Sequence, residues 1–497
     1  MALGKLVRRG VPSAAMPSWV NNLLPILLLL AAIAVVMLRL PKIDVGHSDS
    51  YKKRRLMNWF PLGLTYALLY FGRYNLSANA PLLDKLGMMT KLDFGNISGA
   101  GSFVYGVAFL LNGPLADRWG GRSTMLISAI GSALMNLLMA GLLSRAQAKG
   151  MTHDGFIQWM TVLNCLNMYF QSFGAVSIVK VNAAWFHVRE RGMLGGVFGI
   201  LISLGLYFAY DGSRAIANTL GVTNAFIVPA ALLLGFAFAD SFIIRDLPSQ
   251  AGFVDFDTGD ASSGDDGPRL GVVAIGKKLL RQPVILIIVA IEFCSGFLRN
   301  AVMQWYLPFA AKTGFKDGFV SLNWGMLLCV AGIMGGVFAG FISDHVFGAR
   351  RGPVASVLYA GLTIGAFVTY LSLGTAVTGW AVVFMSLCVI GVHGMLSGTA
   401  SADFGGKKYA GTATGIIDGF VYLGTGCQSF LYGRLLPQEG PADTIVANWK
   451  IWPMVMLPVA VGGLFLATRV WNARPKGVTA TPTPAPPPTT EAAAVTE

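Results

Sequence analysis

The sequence predicts an all-α membrane protein, two six-helix bundles related by pseudo-two-fold symmetry, with an extra helix at the N-terminus. Three observations predict it. Of 497 residues, 54% are hydrophobic and only 12% charged, with a mean hydropathy of +0.60, a composition that suits a bilayer rather than water. Twelve apolar stretches long enough to span follow residue 51, six on each side of a polar break. The two sets of six carry matching landmarks at matching spacing, as in duplicated transporter bundles.

Within the N-terminal extension, residues 1–50, Lys5, Arg8 and Arg9 precede an apolar run over 20–38. That run leads into Val36 and onward to Arg39 and Lys42 with no small-residue cleavage site, so it reads as an uncleaved helix and not as a signal peptide. The first bundle, 51–244, has spans near 57–82, 97–116, 123–144, 157–179, 192–211 and 224–244. Residues 245–281 hold an acidic, Gly- and Ser-rich stretch from Asp255 to Asp266 and read as a solvated linker. The second bundle, 282–473, has spans near 283–309, 321–343, 353–373, 379–400, 410–433 and 451–471. The Pro- and Thr-rich tail, 474–497, has little to bury and is expected to be disordered.

A formal charge of +13 could suggest a nucleic-acid partner, yet the basic residues lie in short loops between apolar runs. Topology accounts for them, and no nucleic acid is expected. One alternate set of loops holds 21 Lys and Arg against 9 in the other, which places the linker and tail in the cytoplasm. An attached first helix then puts the N-terminus outside, and the chain is expected to be a multi-pass protein of the cell's inner membrane. All five cysteines lie in apolar stretches without a CxxC or a nearby histidine, so free thiols are expected, with no disulfide and no metal. With no nucleophile beside a base and no phosphate-cradling glycine loop, neither an enzyme nor a cofactor is expected.

The sharpest feature is Arg73, well inside the first span. At mid-membrane an arginine costs roughly 2.5–3.5 kcal/mol on insertion scales, so it normally faces a polar cavity with a ligand or partner. Arg299 repeats it in the seventh span. Arg73 lies 18 residues after Arg55, and Arg299 18 after Arg281. Asp117 follows Arg73 by 44 residues and Asp344 follows Arg299 by 45. Around this pair, Tyr70 and Tyr74 share a helix face close to Arg73, and Tyr66 and Tyr105 are further candidates for the cavity wall. Glu292, two turns before Arg299 on the same face, could serve coupling or form a structural ion pair. Asp418 inside span eleven and Lys180 near the end of span four are coupling or selectivity candidates, while His393 reads as a core histidine. Asp117, Arg118 and Arg122, between spans two and three, are expected to serve gating and folding and not binding. Gly195, Gly196, Gly199, Gly335, Gly336 and Gly340 read as sites of close helix packing.

Gly113-Pro-Leu-Ala-Asp117-Arg118-Trp-Gly-Gly-Arg122 resembles the loop signature of the major facilitator superfamily. Within that superfamily the chain is similar to the organophosphate:phosphate antiporter family, which contains the glycerol-3-phosphate and hexose-phosphate transporters. The ordered set over about 51–471 carries the likeness: Tyr70 to Asn75 with Pro81, Tyr105-Gly106, Arg189 to Gly192, Arg245 to Pro248 with Gly252, Arg299, and Lys407 to Gly415. The resemblance implies that Arg73 and Arg299 clamp a substrate phosphate, with Tyr70, Tyr74 and Tyr105 around them. A guanidinium fork suits phosphate oxygens in a way that a lysine does not. The expected partners are a phosphorylated small molecule, inorganic phosphate in exchange, and membrane lipid, with the chain a monomer. Tyr74 stands where relatives often carry a basic residue, and Phe109 and Ile202 stand where the glycerol-3-phosphate branch has lysine and histidine. Those departures leave the organic moiety open. Two alternatives stay open beside exchange: a sugar-phosphate sensor, and a proton-coupled organic-anion symporter served by Glu292 and Asp418.

Overall fold

The computed structural model describes residues 46–187, 191–256, 277, 281, 283–347, 351–437 and 444–472. The expected first helix over 20–38, most of the linker and the tail lie outside these residues. The described chain is helical throughout its spans, with no strand among the described residues.

In the first half, α1 is Asp49–Lys85, α2 Lys91–Trp119, α3 Gly121–Gln147, α4 His153–Trp185 and α5 Arg191–Tyr207. A π-helical turn at Phe208–Gly212 leads to α6, Ser213–Leu220, and then to α7, Asn224–Ile243. The starts are set by capping. Ser48 accepts from the Tyr51 amide, Thr152 accepts from the Gly155 amide, and Thr90 with Asp93 forms a reciprocal box. Between α2 and α3 the chain turns on Gly120 at φ 85°, where a Cβ would also lie 2.5 Å from the Asp246 carboxylate.

The second half has α8, Pro283–Met303, α9, Tyr306–Thr313, α10, Trp324–Phe341, α11, Arg351–Ser372, α12, Ala376–Leu435, and α13, Ile451–Arg469. The loop expected between spans ten and eleven is helical as well, so both spans fall within the 60 residues of α12. It nevertheless doubles back. His393 touches Glu292 and Val421 packs on Gly296, one turn further along α8; a straight helix would separate positions 393 and 421 by roughly 42 Å.

Nine helices among the described residues are long and apolar enough to cross a membrane, fewer than the twelve apolar stretches. Of the missing spans, α1 carries Arg73, Asn75, Ser77 and Asn79, the span-eleven half of α12 carries Asp418 and Gln428, and α5 is only 17 residues before its π turn. The helices that fail on hydropathy include the ones that carry polar side chains inward.

The halves meet along two seams, α2 against the second half of α12 and α5 against α10. The first seam is a glycine contact: Gly95 faces Gly433, and Gly106 faces Gly419. Gly335 does pack on α12 backbone as expected, but Gly199, Gly336 and Gly340 face open space, which corrects that part of the packing expectation. The tightest approach lies elsewhere, where a Cβ on Gly296 would strike the Val421 carbonyl. Gly296→Leu is expected to cost at least about 3 kcal/mol by forcing α8 and α12 apart, and Gly336→Leu far less. Thermal unfolding of the two detergent-purified variants checks the contrast.

Candidate functional site

Arg73 and Arg299 sit on α1 and α8, the first helices of the two halves, and both are buried, 4% and 8% exposed. Both face one side chain, Tyr422 on α12. The Arg73 Nη1 donates to the Tyr422 hydroxyl at 3.0 Å, and the Arg299 guanidinium stands 5.4 Å from the centre of the Tyr422 ring. Two cations from different halves converging on one phenol make an arrangement in which an anion could replace the tyrosine hydroxyl.

Arg73 is aimed by a polar ring within the first bundle. Its Nε donates to Gln171 Oε1 at 2.9 Å, Gln171 donates to Ser132 Oγ, and Ser132 donates to Asn167 Oδ1. Asn167 closes the ring by donating to the carbonyl of Gly72, the residue before Arg73. Asn136 donates to the same carbonyl. With Nε and Nη1 engaged, Nη2 is buried with no hydrogen-bond partner among the described residues. An unpaired buried donor of this kind costs about 1–3 kcal/mol unless a ligand takes it. In the second bundle Asn300, next to Arg299, donates to Gln428 and Ser429 on α12 and fixes α8 there.

The expected tyrosines gather at Arg73. Its guanidinium lies 4.6 Å from the ring centres of Tyr70 and Tyr105 and 6.0 Å from that of Tyr74. The Tyr105 hydroxyl is buried without a hydrogen-bond partner among the described residues, its ring 4.1 Å from that of Tyr422. Tyr66 packs on Tyr70 one turn further back. Asp418 is buried on α12, one turn before Tyr422. Lys180 is half-buried on α4, roughly 14 Å along the axis from Gln171 and outside the arginine layer.

Glu292 is fully buried, with Oε2 3.3 Å from His393 Nδ1 and Oε1 without a hydrogen bond among the described residues. Glu292 thus has a histidine partner on α12, at the position the sequence suggested for a core histidine. Tyr422, Gln171 and this pairing were not singled out from sequence. Signals existed for two of them: Tyr422 is one turn from Asp418, and Gln171 continues a stripe of amides with Asn164 and Asn167 at helical spacing in an otherwise apolar span.

The Asp117 side chain lies outside the described residues, and Arg118 is exposed. Arg122 donates from its backbone to Asp246 Oδ1 at 2.7 Å and from its guanidinium to the Ser241 carbonyl. The α2–α3 turn is thereby tied to the end of α7. The adjacent Arg245 carbonyl accepts from Asn58 and Trp185, which holds the Arg245-Asp-Leu-Pro248 segment against α1 and α4.

The other end of the bundles, away from the linker, is joined across the halves. Asp211 accepts from the amides of Gly325 and Met326, both at 2.8 Å, capping α10 from the opposite bundle. Arg214 donates to the Ser321 carbonyl, and Lys312 pairs with Asp84 at 2.8 Å.

Residues 62–427 match the model of the Major Facilitator Superfamily. The chain belongs to that superfamily. Like its members it is an integral membrane protein. It is 25% identical over 403 residues to membrane sensor protein UhpC of Salmonella typhimurium, covering 80% of this chain and 88% of the relative. It is 26% identical over 406 residues to the glycerol-3-phosphate transporter of Bacillus subtilis, covering 77% and 86%. To the probable hexose phosphate transport protein of Chlamydia pneumoniae it is 25% identical over 446 residues, covering 86% and 93%. The fold matches the inward-facing, unoccupied crystal structure of a bacterial homologue of the human lysosomal transporter Spinster, with a TM-score of 0.63 at 13% identity, covering 86% of this chain and 98% of that one.

Proposed function

We propose that this superfamily member is a secondary transporter of the inner membrane that exchanges an organic phosphate, of the sugar-phosphate or glycerol-phosphate type, for inorganic phosphate by alternating access. One observation carries the reading: two buried arginines from equivalent helices meet at Tyr422, and Arg73 keeps a buried donor unpaired. The relatives named for hexose phosphate and glycerol 3-phosphate support the same substrate class. Phosphate between the guanidiniums would take over the bond Arg73 makes to Tyr422 and so report loading directly at the seam between the bundles. On the topology read from the loops, the Asp211, Arg214 and Lys312 contacts act as an outer gate, which is shut in this structure.

The test is uptake of glucose 6-phosphate and glycerol 3-phosphate into proteoliposomes loaded with inorganic phosphate, with efflux of labelled phosphate followed in parallel. Uptake matched by phosphate release supports exchange; no flux of either in a folded, reconstituted protein rejects it. The likeness to UhpC supports a second reading, a sensor of the same ligands, and ligand-dependent stabilisation without flux would favour it.

A further inference from the structure

Beside Arg73 lies a narrow polar cavity lined by Arg73, Ser77, Ser98, Ser102, Asn164 and Gln304, among others. Its position is consistent helix by helix. Ser77 follows Arg73 on α1, which ends at the Asp84–Lys312 contact, and Gln304 follows Arg299 at the end of α8. Ser98 and Ser102 precede Tyr105 on α2, and Asn164 precedes Gln171 on α4, both helices running inward from that same end. The cavity is therefore a shelf one to two turns from the arginine layer, on the side away from the linker.

Its lining is built to hydrogen-bond and is not saturated. Gln304 is 6% exposed and its Oε1 has no partner among the described residues, as is true of Arg73 Nη2 in the same cavity. Ser77, Ser98 and Ser102 are buried and place their hydroxyl-bearing side chains along the same cavity. Arg73 is the one cation among the described lining residues. Amide and hydroxyl groups can both donate to and accept from an alcohol. A second anionic group on the ligand would lose its hydration there with no further cation to replace it. In this conformation the space fits about one hydroxyl-sized group.

We propose that this shelf is a hydroxyl subsite. It takes one alcohol group of a phosphate ester whose phosphate lies at Arg73 and Arg299, with Gln304 as its principal specificity residue, and so favours sugar or polyol phosphates over phosphorylated carboxylates. The inference rests on the organic-phosphate reading and narrows it. Either orientation of the Gln304 amide leaves a buried polar atom for the ligand to satisfy.

The experiment is ligand-induced thermal stabilisation of the full chain in detergent, titrated with inorganic phosphate, glucose 6-phosphate and 3-phosphoglycerate. The unmodified protein is expected to bind glucose 6-phosphate more tightly than 3-phosphoglycerate. Gln304→Leu is expected to lose roughly five- to tenfold more affinity for glucose 6-phosphate than for inorganic phosphate, the size of one hydrogen bond to a neutral group. Ser102→Ala shifts the same ratio in the same direction, and carries the test alone if Gln304→Leu does not fold. Equal losses for the two ligands, or tighter binding of 3-phosphoglycerate by the unmodified protein, overturn the subsite while leaving the transport reading standing. If none of the three ligands stabilises the folded, unmodified protein, the organic-phosphate reading fails and the subsite with it.

Discussion

Arg73→Lys and Arg299→Lys are each expected to abolish phosphate exchange while leaving an inserted, folded protein. The Arg73 guanidinium does three things at once: Nε is held by Gln171, Nη1 reaches Tyr422, and Nη2 stays open to the cavity. An ammonium keeps the charge but has no planar fork, so holding Gln171 pulls it from the seam and reaching the seam abandons Gln171. Losing one phosphate fork together with the internal anchoring forfeits roughly 3 kcal/mol, about a hundredfold in affinity or rate. Arg299 lacks that anchoring ring, and its ring contact with Tyr422 tolerates a lysine better in the unloaded state, so the loss there falls on substrate binding. The measurement is exchange in proteoliposomes beside thermal stability of the same preparations. Exchange within a fewfold of the unmodified protein, in either variant, would remove that arginine from the clamp.

The fold class was legible because duplication leaves two independent copies of the pattern, and hydropathy with basic-loop asymmetry describes each copy. The arginines were legible for the opposite reason: a guanidinium inside an apolar span is costly enough to need an explanation. Tyr422 was harder to find, because a tyrosine in a membrane helix costs little, and its meaning depends on two arginines that lie 349 and 123 residues away in the chain. The glycines show the same limit. Gly335 and Gly336 are neighbours in sequence and differ only by the roughly 100° between successive helix positions, yet one meets the α12 backbone and the other faces open space. His393 read as a core residue because nothing local names its partner, and the doubling-back of α12 that brings it to Glu292 is tertiary.

Uptake of organic phosphate is expected to require phosphate on the opposite side and to respond little to a pH gradient alone. With its anion gone, the site holds two buried guanidiniums beside one tyrosine. Carrying them unneutralised through closure costs several kcal/mol, and at about 4 kcal/mol the empty return is slowed roughly a thousandfold. A bound anion on the way back removes that cost, which is what makes the cycle an exchange. Glu292 is the group able to break the rule, since its carboxylate is fully buried, two turns from Arg299, and has one oxygen without a hydrogen bond among the described residues. Its other oxygen faces His393 at 3.3 Å, and as long as that pairing holds, the carboxylate is turned toward α12 and does not stand in for the missing phosphate. Glu292→Gln should therefore leave the requirement for internal phosphate in place. The measurement compares uptake into liposomes with and without internal phosphate under an imposed pH gradient, for the unmodified chain, Glu292→Gln and Asp418→Asn. Flux that follows the gradient, ignores internal phosphate and disappears in Glu292→Gln would show the carboxylate replacing the counter-anion, and the carrier would then be a proton-coupled symporter.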